Sequence, residues 1–286
     1  MVYLGIPEMS AHPIEQAVAG VVETYELLDR VRTRQDLVIR DDQFAQDALL
    51  DAARYALRRR IRLSVLDTGR LGLVEVESLA RAGARILTSD DARPRTDDWE
   101  ILHDACRTAG THLAVFWNGP LPAADAASGT ILQDLERLLG RGLDLHIADR
   151  KHPRDAEDLT RLAGAARKGK GYFVAYHVGP LVPDLAVPAR GGAWIHFSDA
   201  SIADKPGEEL AVGIARAAAS SGSRAAVHIE RGLALELLEE LWTAGAALLF
   251  LTPPSDDRSL LRPLERRAAR RKLPPRAFFL STAFLP

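Results

Sequence analysis

Short apolar runs rich in Val, Ile, Leu and Phe recur along the chain, and most are separated by a dozen or more residues with helical periodicity. The runs predict strands at 62–67, 84–90, 112–118, 143–149, 172–178, 193–199, 225–230 and 247–252. Between them, apolar positions spaced by three or four residues predict amphipathic helices at 73–82, 97–109, 131–139, 154–166, 208–219 and 233–244. In the last of these, Leu235, Leu238 and Leu241 lie on one side and Glu236, Glu239 and Glu240 on the other. Strands alternating with helices signal parallel pairing, because two parallel strands need a long crossover that is usually helical.

An ungapped internal repeat supports this pattern. Residues 63–87 align onto 225–249, matching Val65 with Val227, Leu73 with Leu235, Leu79 with Leu241 and Ala82–Gly83 with Ala244–Gly245. Each copy is a strand, a turn, a helix, a glycine where a left-handed helix cap is favoured, and the next strand. Eight strands in this order is the count of a TIM barrel. The expected fold is therefore an α/β parallel (β/α) barrel, TIM-barrel-like, in a single α/β domain spanning 1–286. Residues 61–286 form the barrel, and 1–60 are either an N-terminal helical extension or the first βα units. The ambiguity arises because LVIR at 37–40, FFLS at 278–281 and VYLGI at 2–6 also read as strands, with helices at 17–31 and 42–59. An open doubly wound sheet is the alternative.

Composition narrows the class. At 47% hydrophobic and 27% charged, the chain has ordinary globular chemistry and needs no covalent staple at this length. The single cysteine, Cys106, excludes an internal disulfide and any CxxC metal motif. It falls among the apolar positions of its helix and reads as core. A net charge of −2 offers no general attraction for nucleic acid or anionic membrane. The first residues lack a basic leader, and no charge-free apolar stretch has transmembrane length, so the expected location is the cytoplasm. A homo-oligomer is compatible with all of this. There is no GxGxxG after a strand, no Walker A motif and no GxSxG.

In parallel α/β folds, ligands bind at the carboxyl ends of the strands. Asp67, Asp90, Asp91 and Asn118 stand at such ends, and four of the eight histidines lie on four consecutive strands: His146, His177, His196 and His228. Three of them occur as an apolar–His–apolar triplet followed by an acid, in LHIAD, IHFSD and VHIE. Period-two alternation places His146, His196, His228 and Glu230 on one face, and Leu145, Ile147, Ile195, Phe197, Val227 and Ile229 on the other. The histidines should therefore point into the barrel. Asp149 and Asp199 have the opposite parity and can join a site only after the strand has turned.

Imidazoles and a carboxylate are ligands for zinc or manganese, which can lower the pKa of bound water. The expected site has His146, His196 and His228 on a divalent metal, Glu230 as ligand or base, His177 as proton shuttle and Asp67 as second ligand or orienting carboxylate. Structural hydrogen bonding of buried histidines is the plainer reading of the same pattern. The segment 178–192, with three prolines and three glycines and no helical period, reads as a lid or as an extended crossover. Arginine clusters at 58–62 and 262–271 read as solvated faces, or less simply as phosphate or RNA surfaces. Together these features point to a metal-dependent barrel enzyme, a hydrolase or an isomerase/lyase, acting on a small polar molecule. The competing reading is a catalytically silent barrel that binds a ligand or partner.

Overall fold

The structure, a computed structural model, describes residues 37–121, 130–229, 232–250, 261–271 and 277–279, together with Leu27. Its ten strands are β1 (Leu37–Arg40), β2 (Leu63–Leu66), β3 (Arg85–Ser89), β4 (Leu113–Trp117), β5 (Asp144–Ala148), β6 (Phe173–Tyr176), β7 (Trp194–Ser198), β8 (Ala225–Ile229), β9 (Ala247–Phe250) and β10 (Ala277–Phe279). The helices between them are α1 (Gln46–Arg59), α2 (Leu73–Arg81), α3 (Thr96–Thr108), α4 (Thr130–Gly140), α5 (Ala156–Gly169), α6 (Ala186–Gly191), α7 (Lys205–Ser221), α8 (Leu235–Ala244) and α9 (Leu261–Arg270). All ten strands belong to one sheet, each hydrogen-bonded in parallel to its neighbour in sequence. A doubly wound sheet must reverse its strand order at a switch point. The strictly sequential order excludes that alternative and is the plan of a parallel (β/α) barrel.

Two boundaries differ from the eight-strand expectation. LVIR is a true strand that pairs with β2, so residues 37–60 form a first βα unit rather than an appended extension. At the other end Ala277–Phe279 adds a strand beside β9. The candidate strand at 2–6 and most of the candidate helix at 17–31 lie outside the described residues. Among the described residues the ladder runs from β1 to β10 without a pair joining its ends.

The alternation of side chains sorts the sheet into two cores. Leu145, Ile147, Ile195, Phe197, Val227 and Ile229 are buried in the layer packed against the helices. Leu66, Leu87, Ala114, Phe116, Val174 and Tyr176, drawn from β2, β3, β4 and β6, form a second cluster on the inner face. The sheet is curled enough for inner side chains to reach past a strand: the Arg85 guanidinium on β3 lies 3.2 Å from Asp144 on β5. Ala114 of β4, between them, is small enough to let it pass.

The repeated unit is confirmed at its most diagnostic position. Gly83 and Gly245 have φ of 104° and 107°, the left-handed conformation in which a residue with Cβ is strained. The segment 178–192 departs from the expectation of a structureless loop. It holds a 3₁₀ turn, Pro183–Leu185, followed by α6. Pro188 fits because it occupies the first helical turn, where its missing N–H has no partner to lose. Leu185, Pro188 and Ala189 are buried against the neighbouring helices, so most of this segment is the crossover between β6 and β7 rather than a lid.

Candidate functional site

Three of the predicted histidines lie in the lumen, as their parity required. His146, His196 and His228 are each at most 2% exposed. They form a seam across four strands. The His146 ring stacks on Phe116, with centroids 4.3 Å apart, and its Nδ1 is 2.9 Å from the Tyr176 hydroxyl. Tyr176 packs on His196, and His196 Nδ1 lies 3.1 Å from His228 Nε2. Burial of the rings opposes their charged form. Burial alone lowers His228 to about 4, burial with the Arg85 charge lowers His146 to about 3, and burial with the two neighbouring histidines pushes His196 well below its ordinary value. All three are therefore neutral near pH 7. Burial also raises the Tyr176 phenol, which keeps its proton. His146 Nε2 and His228 Nδ1 are buried without a hydrogen-bond partner among the described residues. Cys106, as its place on the helix predicted, is buried core with its thiol pushed up to about 11 by burial.

The three imidazoles do not converge on one point. Tyr176 stands between His146 and the other two, and among the described residues no three His, Cys, Asp or Glu side chains are grouped to hold a metal. Glu230 lies outside the described residues.

The acids at the strand ends have a different occupation. Asp41 follows β1, Asp90 follows β3 and Asp149 follows β5; each carboxylate accepts a backbone N–H from the loop after the next strand. The donors are Thr68 at 3.1 Å, Asn118 at 2.9 Å and Val178 at 2.9 Å. In each case the donor is two residues beyond the partner of the odd strand's last residue: Leu66, Phe116 and Tyr176 pair with Arg40, Ser89 and Ala148. Asp199, after β7, likewise accepts from Gly232 beyond β8, at 2.9 Å. A tie recurring every second strand is a (βα)₂ device that locks adjacent loops. Burial raises the Asp41 and Asp90 carboxyls despite these bonds, with the charge of Asp67 adding to the effect at Asp41 and that of Asp91 at Asp90.

Asp67 is also engaged structurally. Its carboxylate accepts from Arg93 Nε and Nη2 at 2.9 and 3.0 Å, from the Thr88 hydroxyl at 2.7 Å and from Gly69 N at 3.0 Å. A bidentate guanidinium with two further donors neutralises a buried carboxylate and fixes its direction. Asp67 thus sits apart from the lumen histidines, held by the loop after β3.

His177 is the predicted site residue that faces an accessible space. It ends β6 with the parity of the helix-facing residues, and so does Asp149 at the end of β5. Both strands have finished there, and the two side chains meet: His177 Nδ1 is 2.5 Å from Asp149 Oδ2. On its other side, His177 Nε2 is 2.9 Å from the Pro180 carbonyl oxygen. A carbonyl can only accept, so Nε2 donates to Pro180, and an ionised carboxylate at Asp149 would make Nδ1 a donor as well. Burial opposes that charge, but the Asp149 hydrogen bond, the Pro180 carbonyl and the Asp149 charge together raise His177 above its ordinary value.

The pair forms part of the wall of a cavity of about 460 Å³ between the start of α5 and the segment leading into α6, also lined by Arg154, Asp155 and Asp184. Arg154 is fixed there by three hydrogen bonds to carbonyl oxygens, two to Ala148 and one to Gly119. It supplies a stationary positive charge. Asp155 caps α5 by accepting from Glu157 N. Sequence reasoning missed Tyr176, Arg93 and Arg154. Tyr176 could have been found, because it shares the inward parity of Val174, whereas the arginines act across loops and leave no local signal.

No family model matches the chain, and no curated protein matches it. Solved structures give remote likenesses. Deoxyribose phosphate aldolase from Aeropyrum pernix has a TM-score of 0.34 at 12% identity, covering 86% of this chain and 97% of that one. A truncated form of 3-deoxy-D-arabino-heptulosonate 7-phosphate synthase from Thermotoga maritima has a TM-score of 0.29 at 11% identity, covering 86% and 90%. At these scores the likeness decides neither the fold nor the chemistry, which rest on the strand order and the side chains described above.

Proposed function

We propose that the chain is a barrel enzyme that transfers a proton to or from a small polar molecule at the carboxyl ends of β5 and β6. The observation that carries this reading is the His177 ring, hydrogen-bonded between Asp149 and the Pro180 carbonyl on the wall of an accessible cavity, an arrangement that favours its doubly protonated form. An imidazolium oriented by a carboxylate is a general acid. Displacing the Pro180 carbonyl with a substrate oxygen would place Nε2–H on that oxygen, and Asp149 would stabilise the charge until the proton moves. The fixed Arg154 guanidinium supplies a positive charge to a wall that also carries Asp155 and Asp184, which suits a polar substrate. Hydrolysis and elimination both need such an acid, so a hydrolase or a lyase fits this arrangement. Screening the full chain against chromogenic esters, phosphates and glycosides, and against β-hydroxy acids for elimination, tests it. Turnover should fall by about 10²–10⁴-fold in His177→Gln. Equal turnover in that variant and the wild type would end the proposal.

A metal belongs to this proposal only at His196 and His228. Their nitrogens are 3.1 Å apart, close to the roughly 3.3 Å expected between two tetrahedral ligands with arms of 2.0–2.1 Å. Zinc or manganese bound there would supply Lewis acidity to the lumen, and elemental analysis of purified protein tests for it. The silent-barrel reading draws on a separate observation: Asp41, Asp67, Asp90, Asp149 and Asp199 all hold loop groups in place. It takes the lead if no turnover is found and the cavity binds a small anion with the same affinity in wild type and His177→Gln.

A further inference from the structure

At the opposite end of the sheet, where the strands begin, a second cavity of about 470 Å³ is lined by Arg60, Arg62, Arg85, His112, Lys170 and Tyr172, with apolar walls from the α1–β2 corner. Arg60, Arg62, Arg85, His112 and Lys170 line one space, and among the described residues Asp144 is tied to it through Arg85 at 3.2 Å and lies 3.8 Å from His112.

The backbone adds an independent observation. Arg60 and Lys170 are the non-glycine residues with positive φ among the described residues, at 58° and 63°. Both occupy the left-handed corner that ends a helix, α1 and α5 respectively. Six other helices have glycine at or just past that corner: Gly83, Gly110, Gly142, Gly192, Gly222 and Gly245. Glycine carries no steric penalty there, whereas Arg and Lys do. Two strained cations replace glycine, and both line this cavity. The helix dipole does not account for them, because the last turns already hold Arg58 and Arg59 in α1, and Arg167 and Lys168 in α5. Among the described residues no carboxylate pairs with Arg60 or Lys170. Strain of this kind persists where function holds the side chain in place.

We infer that this amino-end cavity is a binding site for a small molecule bearing a phosphate or diphosphate group, separate from the His177 cavity by the length of the strands. Arg60, Arg62 and Lys170 grip the anion from the rim, Arg85 supplies charge from the floor, and the Tyr172 ring with the apolar wall accommodates the body of the ligand. A cavity of this volume suits a small ligand rather than a polymer.

Inorganic pyrophosphate is the probe, titrated calorimetrically into the full-length chain. Wild type should bind it saturably, with affinity falling as sodium chloride is raised. Arg60→Gly and Lys170→Gly should each weaken binding about tenfold, the loss expected for a charged hydrogen bond. Both should leave the melting temperature unchanged or higher, because glycine relieves the left-handed backbone. A loss of affinity without a loss of stability is what a purely structural role cannot produce. Absence of saturable binding, or unchanged affinity in the double variant, overturns the inference. Single-stranded RNA binding more tightly than pyrophosphate, and weakened by the same substitutions, overturns the small-ligand assignment in favour of a nucleic-acid surface.

Discussion

Acid should destabilise this fold chiefly through its lumen. His146 and His228 are held at about 3 and about 4 in the folded chain, whereas an unfolded histidine titrates near 6.5. Both folded values are depressed, so the unfolded state binds the extra proton. The stabilisation from each neutral ring is full above the unfolded value and is lost as pH falls from there toward the folded one. Between pH 7 and pH 5 each histidine should cost about 2 kcal/mol, or roughly 4 kcal/mol together, against a typical total of 5–15 kcal/mol. His196, also depressed, adds in the same sense. His177, Asp41 and Asp90 are raised in the fold and work in the opposite direction.

The wild-type slope is thus a sum, and a difference between proteins isolates the lumen. Urea unfolding of wild type and His228→Gln, followed by circular dichroism and tryptophan fluorescence at pH 7, 6 and 5, gives that difference. The variant should be less stable at pH 7, since it loses the His196 contact. It should also lose about 2 kcal/mol less than wild type on acidification to pH 5. Parallel pH dependences for the two proteins would show that His228 is not a buried neutral ring.

Other outcomes follow from single contacts. Asp90→Ala leaves the Asn118 and Gly119 amides without their acceptors and should cost about 1–3 kcal/mol in chemical denaturation, whereas Asp90→Asn, which keeps an acceptor for one of the two amides, should cost less. Gly83→Ala should destabilise by at least ~1 kcal/mol, because φ is 104° and the new methyl would sit 2.7 Å from Leu57 Cβ; an unchanged melting temperature would contradict the left-handed corner. Zinc or manganese, if held by His196 and His228, should raise the melting temperature of wild type and not of His196→Ala, and an equal shift in both would place the ion elsewhere.

The parts of this molecule written in local periodicity were legible from the sequence. Alternation along LHIAD, IHFSD and AAVHIE put His146, His196 and His228 in the lumen, because a period of two leaves only two faces and the intervening residues are apolar. The helix-terminal glycines were legible for a similar reason, since the left-handed corner admits few other residues. The ligand shell was not legible, because alternation gives the face and not the height. Register staggers from strand to strand, so residues with the same parity and the same neighbours in sequence arrive at different levels. His146 pairs across with Val174, and His196 with Tyr176.

That stagger lets Tyr176 stand between His146 and His196 and turns a possible cluster into a seam. The acids carried the opposite lesson. The parity of Asp149 admits it to a site only after its strand has turned; His177 shares that parity, both strands have ended there, and the two side chains meet outside the lumen. The recurrence that explains the acids spans two βα units, with Asp41, Asp90 and Asp149 each reaching an amide some 27–29 residues away. Such a tie depends on which loop lies beside which, and only the strand order supplies that. Once the order is strictly sequential, an acid after an interior strand has the loops of its two neighbours within reach, and Asp90 and Asp149 each take the later one.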